Sequence, residues 1–194
     1  MKRNLPLFFL LFSVFFTVLL FVLNNRQSNL SRPVISEDEF FFREKNDELN
    51  QRLSGRQLAN ITCMDSARNM FSLSDLTDKS TLIFHFSEHH CGVCYEDEIR
   101  MLQAFFADNF HSILILCSYE SYRSFMFFLR MNQIRFPVYR IEHRVIEWEL
   151  NEYGYPYYFV LHPDMKISHI YIPNKAYPES NKQYLEGVKR FLLE

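Results

Sequence analysis

Two apolar runs of strand length bracket a pair of cysteines. Thr81-Leu82-Ile83-Phe84-His85-Phe86 leads towards Cys91-Gly92-Val93-Cys94, and Ser112-Ile113-Leu114-Ile115-Leu116-Cys117 follows about 20 residues later. Nearly continuous apolar runs of this length are the mark of strands buried on both faces, which parallel sheets require. Between them Ile99, Leu102, Phe105 and Phe106 recur at three- and four-residue steps, the period of a helix with one apolar stripe. Strand, helix and strand in this order imply a right-handed parallel crossover, so the chain is expected to be α/β.

The remaining segments extend that expectation. A helix is expected over 119–132, a short strand around Val138, a helical turn around Trp148, a strand pair over 157–161 and 167–171, and a closing helix over 184–193. The strand pair is expected to form an antiparallel edge, giving a central mixed sheet flanked by helices. With 194 residues and 48% hydrophobic content the chain can bury one sizeable core. A formal net charge of -2 and scattered Lys and Arg offer no basic field for a phosphate backbone, which excludes nucleic acid as the expected partner.

The N-terminus bears on compartment. From residue 5 to residue 23 about 19 residues pass without a charge, roughly 28 Å as a helix and close to the thickness of a bilayer core. Lys2 and Arg3 precede this run, which keeps residues 1–4 in the cytoplasm and sends the rest across. The run ends in Val22-Leu23-Asn24-Asn25-Arg26 without a small-x-small cleavage pattern, so an uncleaved transmembrane anchor over 5–23 is expected rather than a removed signal peptide. Residues 24–57 read as a polar tether. Within it Phe40, Phe41, Phe42, Leu49 and Leu53 are expected to make one apolar face of a short helix that docks on the domain, the alternative being that it lies near the membrane surface. The globular domain is expected over 58–194, outside the cytoplasm and in the periplasm of a Gram-negative cell, where paired cysteines persist as disulfides or are cycled by partners.

Cys91 and Cys94 are the expected catalytic residues. They stand where a strand ends and a helix begins, and unpaired N–H groups with the positive end of the helix dipole stabilise a thiolate there. The second cysteine falls within one helical turn of the first, close enough to close a small ring or resolve a mixed disulfide. His90 assists a thiolate when protonated, whereas Glu96, Asp97 and Glu98 favour the helix start but oppose the negative sulfur. A lone C-x-x-C is also half of a zinc site, but no second C-x-x-C occurs and Cys63 and Cys117 stand alone. No metal and no cofactor are expected, although His89 and His90 adjoin Cys91 and leave a mixed Cys/His metal site open, and Cys63 and Cys117 are expected to be structural or idle. Cys117 in particular ends an apolar strand, as small buried hydrophobes do.

The series His90-Cys91-Gly92-Val93-Cys94, then Phe136-Pro137-Val138, then Gly154-Tyr155-Pro156 running into Tyr157-Tyr158-Phe159-Val160-Leu161-His162-Pro163-Asp164 resembles membrane-tethered thioredoxin-like oxidoreductases of the TlpA type and their redoxin relatives. The resemblance covers residue 58 to the C-terminus. It implies a thioredoxin-like fold and a thiol-disulfide oxidoreductase. Its partners would be thiols or disulfides of exported proteins or peptides, together with an upstream membrane or extracytoplasmic redox partner. It further implies that Pro156 is cis and faces the cysteine pair, that Tyr155 presents its backbone to a bound peptide, and that His85 occupies the position where thioredoxin carries a buried acid; for His85 a ring satisfied by a backbone carbonyl is the preferred reading, with proton handling for Cys94 the alternative. His90 replaces the usual tryptophan, Val93 replaces a common proline, and the turn at Pro163-Asp164-Met165 lacks a glycine. The direction of exchange stays open. Other readings are a thiol peroxidase, whose Pro-x3-Thr-x2-Cys motif is absent around Cys91, a copper or zinc carrier using the cysteines and a histidine such as His162, and a binding module with a vestigial site.

Overall fold

The computed structural model describes residues 16–17, 35–90, 92–107, 110–142, 150 and 154–194. Apart from Phe16 and Thr17, the expected anchor over 5–23 lies outside these residues, as do Cys91 and the expected turn around Trp148. Among the described residues no helix is long and apolar enough to cross a membrane. The chain divides into two compact units, Met1–Asp38 and Glu39–Glu194, and the sheet belongs to the second.

The elements are α1 (Glu37–Leu53), β1 (Thr62–Met64), β2 (Met70–Ser72), β3 (Thr81–Ser87), α2 (Gly92–Phe105), β4 (Ile113–Ser118), α3 (Tyr122–Asn132), β5 (Val138–Ile141), β6 (Tyr157–Leu161), β7 (Ile167–Tyr171) and α4 (Pro178–Leu193). The sheet order is β2-β1-β5-β4-β3-β6-β7. Strands β3, β4 and β5 are parallel, with Phe84 beside Ile115 and Ile115 beside Val138, while β6 runs antiparallel to β3 and β7 antiparallel to β6. Every residue of β3, β4 and β6 is buried, as their continuous apolar runs require.

Two helix starts differ from expectation. Ser121 is extended (φ -109°, ψ 143°) and its hydroxyl accepts from Ser124 N–H at 3.0 Å, so α3 begins at Tyr122 rather than 119. Pro178 fits the first turn of α4 and starts that helix six residues before the expected 184. Strands β1 and β2 were not expected, because three residues each are too few to show a period.

The sheet separates two apolar layers. Leu82, Phe84 and Phe86 pack with Ile99, Leu102 and Phe125 beneath α2 and α3, joined by Leu185 and Val188 of α4. Ile83 of the same strand faces the other way, among Leu116, Tyr157, Phe159 and Leu161. Leu49 and Leu53 of α1 are buried in this second layer, and each buried leucine stabilises the fold by about 1.5–3 kcal/mol.

The seat of α1 on β7 also has a polar basis. Asn46 Oδ1 accepts from Ile172 N–H at 2.8 Å and Asn50 Oδ1 accepts from Ile170 N–H at 3.0 Å. Four helical residues rise about 6 Å and two strand residues about 6.6 Å, so the two amides stand in register with alternate strand donors. Farther along the same edge, Gly55 N–H donates to Ile167 O at 2.8 Å and Leu58 N–H to Met165 O at 2.8 Å. An edge open to pairing with other chains is thereby covered. Of the five residues expected on the docking face, Phe42, Leu49 and Leu53 pack against the domain, whereas Phe40 and Phe41 are exposed. Three consecutive residues span about 200° of helix and cannot share one stripe. The turn after β6 forms without glycine because Met165 takes the left-handed conformation itself (φ +62°).

Candidate functional site

Strand β3 delivers His85 and then the turn at Glu88-His89-His90, after which α2 begins at Gly92. Cys94 stands in the first turn of α2, is half-buried, and is disulfide-bonded. Val93 beside it is exposed. Cys63 and Cys117 are free and buried. Burial pushes the Cys63 thiol up to about 12 and the Cys117 thiol well above its ordinary value, so neither supplies a thiolate near neutral pH.

A cavity of about 340 Å³ opens beside Cys94. Phe42, Lys45 and Leu49 of α1 line one side of it, Tyr155 the loop side, and Glu98 the helix side. Tyr155 is half exposed, and Pro156 is buried next to it. There is no cis peptide bond among the described residues, so the Tyr155–Pro156 bond is trans, contrary to what the resemblance implied. Trans is the lower-energy form of an X-Pro bond.

Glu98 is the residue that sequence reasoning misjudged. It lies four positions after Cys94 on the same helical face, and it is 4% exposed. Tyr158 Oη donates to Glu98 Oε2 at 2.7 Å and Asn181 Nδ2 donates to Oε1 at 3.1 Å. Asn181 is itself held by the Tyr171 hydroxyl, which donates to its Oδ1 at 2.8 Å. Burial raises the Glu98 carboxyl to about 7, and neighbouring Asp97 adds to the rise, while the two hydrogen bonds restrain it. The signal was present in the sequence: Glu98 sits on the stripe of Leu102 and Phe105, where an apolar residue belongs, whereas Asp97 and Arg100 pair on the outer side of the helix.

His85 is buried and belongs to the other side of the sheet, its ring 4.8 Å from Tyr157 and edge-on to His90 at 6.2 Å. Nε2 meets the Ser118 hydroxyl at 3.3 Å, and Nδ1 has no hydrogen-bond partner among the described residues. Burial pulls its pKa down to about 3, with His90 a second cause, so the imidazole is neutral across the working range. His90 is half-buried and its Nδ1 accepts from Ser87 N–H at 3.3 Å.

Among the described residues, those named for a metal do not converge. His162 meets Ser80 at 3.0 Å and Ser168 at 2.8 Å, at the end of β3 opposite to the cysteines, because Thr81 pairs with Leu161. Seven strand residues, about 20 Å, separate it from the turn that leads to the cysteines. The His-x3-His spacing of His85 and His89, a pairing not named for a metal above, makes no site either, because His85 is buried on Ser118 while His89 is exposed and meets Glu120 at 3.2 Å. Among the described residues one group, Glu88, His89 and Glu120, brings three candidate ligand atoms within 4.8 Å of one another. It is a surface group already engaged in its own hydrogen bonds, and Cys94 is not part of it.

Neither a family model nor a curated protein matches the chain. Solved structures do. A solution structure of a thiol:disulfide interchange protein from Bacteroides sp. is similar at TM-score 0.55 and 17% identity, covering 73% of this chain and 91% of that one. The crystal structure of the thioredoxin domain of a thiol-disulfide oxidoreductase from Bacteroides vulgatus is similar at TM-score 0.56 and 16% identity, covering 72% of this chain and 97% of that one. The fold is thioredoxin-like, with the mixed sheet and flanking helices expected.

Proposed function

We propose that the chain is a thiol-disulfide oxidoreductase in which Cys91 attacks, Cys94 resolves and Glu98 carries the proton of Cys94. The single observation that carries the reading is the disulfide-bonded Cys94 in the first turn of α2, sharing a cavity with a buried carboxyl poised near neutral pH. In the reducing direction the Cys91 thiolate attacks one sulfur of a partner disulfide. A mixed disulfide forms, and the other partner sulfur leaves as a thiolate that takes up a proton. Cys94 then gives its proton to the Glu98 carboxylate and attacks the Cys91 sulfur. The Cys91–Cys94 disulfide closes and the second partner sulfur leaves as a thiolate, so one partner disulfide becomes two thiols while the protein dithiol becomes a disulfide. In the oxidising direction the same steps run backwards and Glu98 returns the proton. A carboxyl near 7 serves both directions, because its two forms are comparably populated at neutral pH.

Tyr155 frames the bound segment in this reading, and residues 5–23 anchor the domain outside the cytoplasm, where exported proteins supply the disulfides. Fold and site support this over the peroxidase and metal-carrier readings, given the missing peroxidatic motif and the remote His162. The test is trapping. Cys94→Ser, expressed in its native envelope and analysed without reductant, is expected to accumulate higher-mass adducts that vanish on reduction and are absent when Cys91 is also replaced. Stoichiometric copper or zinc on the purified protein, without adducts, would overturn the proposal. Protease added to spheroplasts should digest the domain, and complete protection would overturn its placement.

A further inference from the structure

The cavity beside Cys94 is chemically lopsided. Its floor is apolar, made by Phe42 and Leu49 of α1 and by Ile172 and Pro173 just after β7. Its mouth carries two exposed cations from different elements, Lys45 on α1 and Lys175 in the segment before α4. The one acid among its described lining residues, Glu98, is buried behind Cys94 and engaged by Tyr158 and Asn181. The exposed or half-exposed acids near the helix start, Glu88, Glu96, Asp97 and Glu120, are not among the residues that line this cavity. Among the described residues that line the cavity, the two lysines thus stand on the side of Cys94 where there is also room for a side chain.

We infer that this cavity reads the substrate: it takes a segment of a disulfide-bearing polypeptide in which an apolar residue is followed by Asp or Glu close to the cysteine. The apolar side chain fills the floor between α1 and the Ile172-Pro173 segment, and the carboxylate lies between Lys45 and Lys175. The inference rests on the exchange reading above and adds to it a substrate class. It also gives α1 a part in recognition, since α1 contributes both floor and charge. Charge pairs at an exposed mouth act weakly in water and are screened by salt, so selectivity should be modest and sensitive to ionic strength.

The experiment uses the full-length reduced protein and three peptides that share one intramolecular disulfide and a leucine beside a cysteine, and differ only in whether Glu, Gln or Lys follows the leucine. At about 0.05 M salt, kcat/KM should rank Glu above Gln above Lys, with about three- to tenfold between the extremes. At about 0.5 M salt the spread should shrink to less than about twofold. In the double variant Lys45→Glu, Lys175→Glu the ranking should reverse, and since both lysines are exposed the fold should persist, as an unchanged thermal midpoint would report. Equal rates with the three peptides, or a preference for Lys in the wild type, would overturn the inference while leaving the exchange reading intact. If none of the peptides is reduced, both fall together.

Discussion

Two buried ionisable side chains flank the same stretch of sheet and meet opposite fates. Burial disfavours the charged form of each, but for a base that means a pKa pulled down and for an acid a pKa pushed up. His85, on the side of Ile83 and Tyr157, is driven to about 3 and taken out of proton chemistry. Glu98, on the side of α2 and Tyr158, is driven to about 7 and brought into it. The same desolvation that silences a histidine makes a carboxyl useful, and the difference lies in which form is neutral. The contrast also shows why a sequence position inherited from a resemblance is a weak guide to role. His85 holds the place where the resemblance puts a buried acid, while the buried acid next to Cys94 stands on the helix.

The largest effect expected from breaking this contrast is on rate. Glu98→Gln should slow resolution by Cys94 by about 100-fold at pH 7, the usual range for loss of one acid-base group, with mixed disulfide accumulating as seen by non-reducing electrophoresis. His85→Gln should change the same rate by less than about threefold. A larger loss with His85→Gln than with Glu98→Gln would reverse the assignment.

Tyr158→Phe sharpens the comparison. Its hydroxyl donates to the carboxylate and holds the Glu98 pKa down, so removing it should move the rate inflection to higher pH and cost about 1 kcal/mol of stability. An inflection that stays in place would mean that the hydrogen bond does not bear on Glu98.

Stability should carry the contrast as opposite slopes. From the ordinary carboxyl value of 4.5 up to about 7 the folded chain retains a proton on Glu98 that the unfolded chain has lost, so this contribution is present below 4.5 and is lost as pH rises through 7. Between about 3 and 6.5 the unfolded chain binds a proton at His85 that the folded chain refuses, so this contribution is present above 6.5 and is lost as pH falls through that window. The two oppose each other between 4.5 and 6.5. Relative to wild type, thermal midpoints of Glu98→Gln should fall more steeply on acidification through this window, and those of His85→Leu less steeply. Parallel curves for all three would contradict the burial assigned to both groups.

The smallest effects belong to the remaining cysteines. Cys63→Ala and Cys117→Ala should each cost about 1 kcal/mol in chemical denaturation and leave exchange rates unaltered. Abolished activity with an intact fold would show that the chemistry had been misplaced.

Much of this architecture was legible in the sequence, and for one reason: β3, β4 and β6 are buried on both faces and therefore read as apolar runs, with an equally regular stripe on α2 between the first two. What could not be read lacked a period or depended on distant partners. Strands β1 and β2 are three residues each, and the amides of Asn46 and Asn50 acquire meaning only once β7 lies against α1. Cys94 and Tyr155, both named from the sequence, line one cavity, which by itself assigns neither a role. The trans bond at Pro156 and the remoteness of His162 were not expected. Glu98 was read as one of three acids in a charged run, although its four-residue spacing from both Cys94 and Leu102 marked it as facing inward.

The most direct measurement is the pH dependence of mixed-disulfide resolution in a single turnover, followed from about pH 5 to 9 in the wild type, Glu98→Gln and His85→Gln. The wild type and His85→Gln should share an inflection near 7, where Glu98 titrates, and Glu98→Gln should lack it. An inflection that survives in Glu98→Gln and disappears in His85→Gln would contradict the account, and would return the proton to the strand.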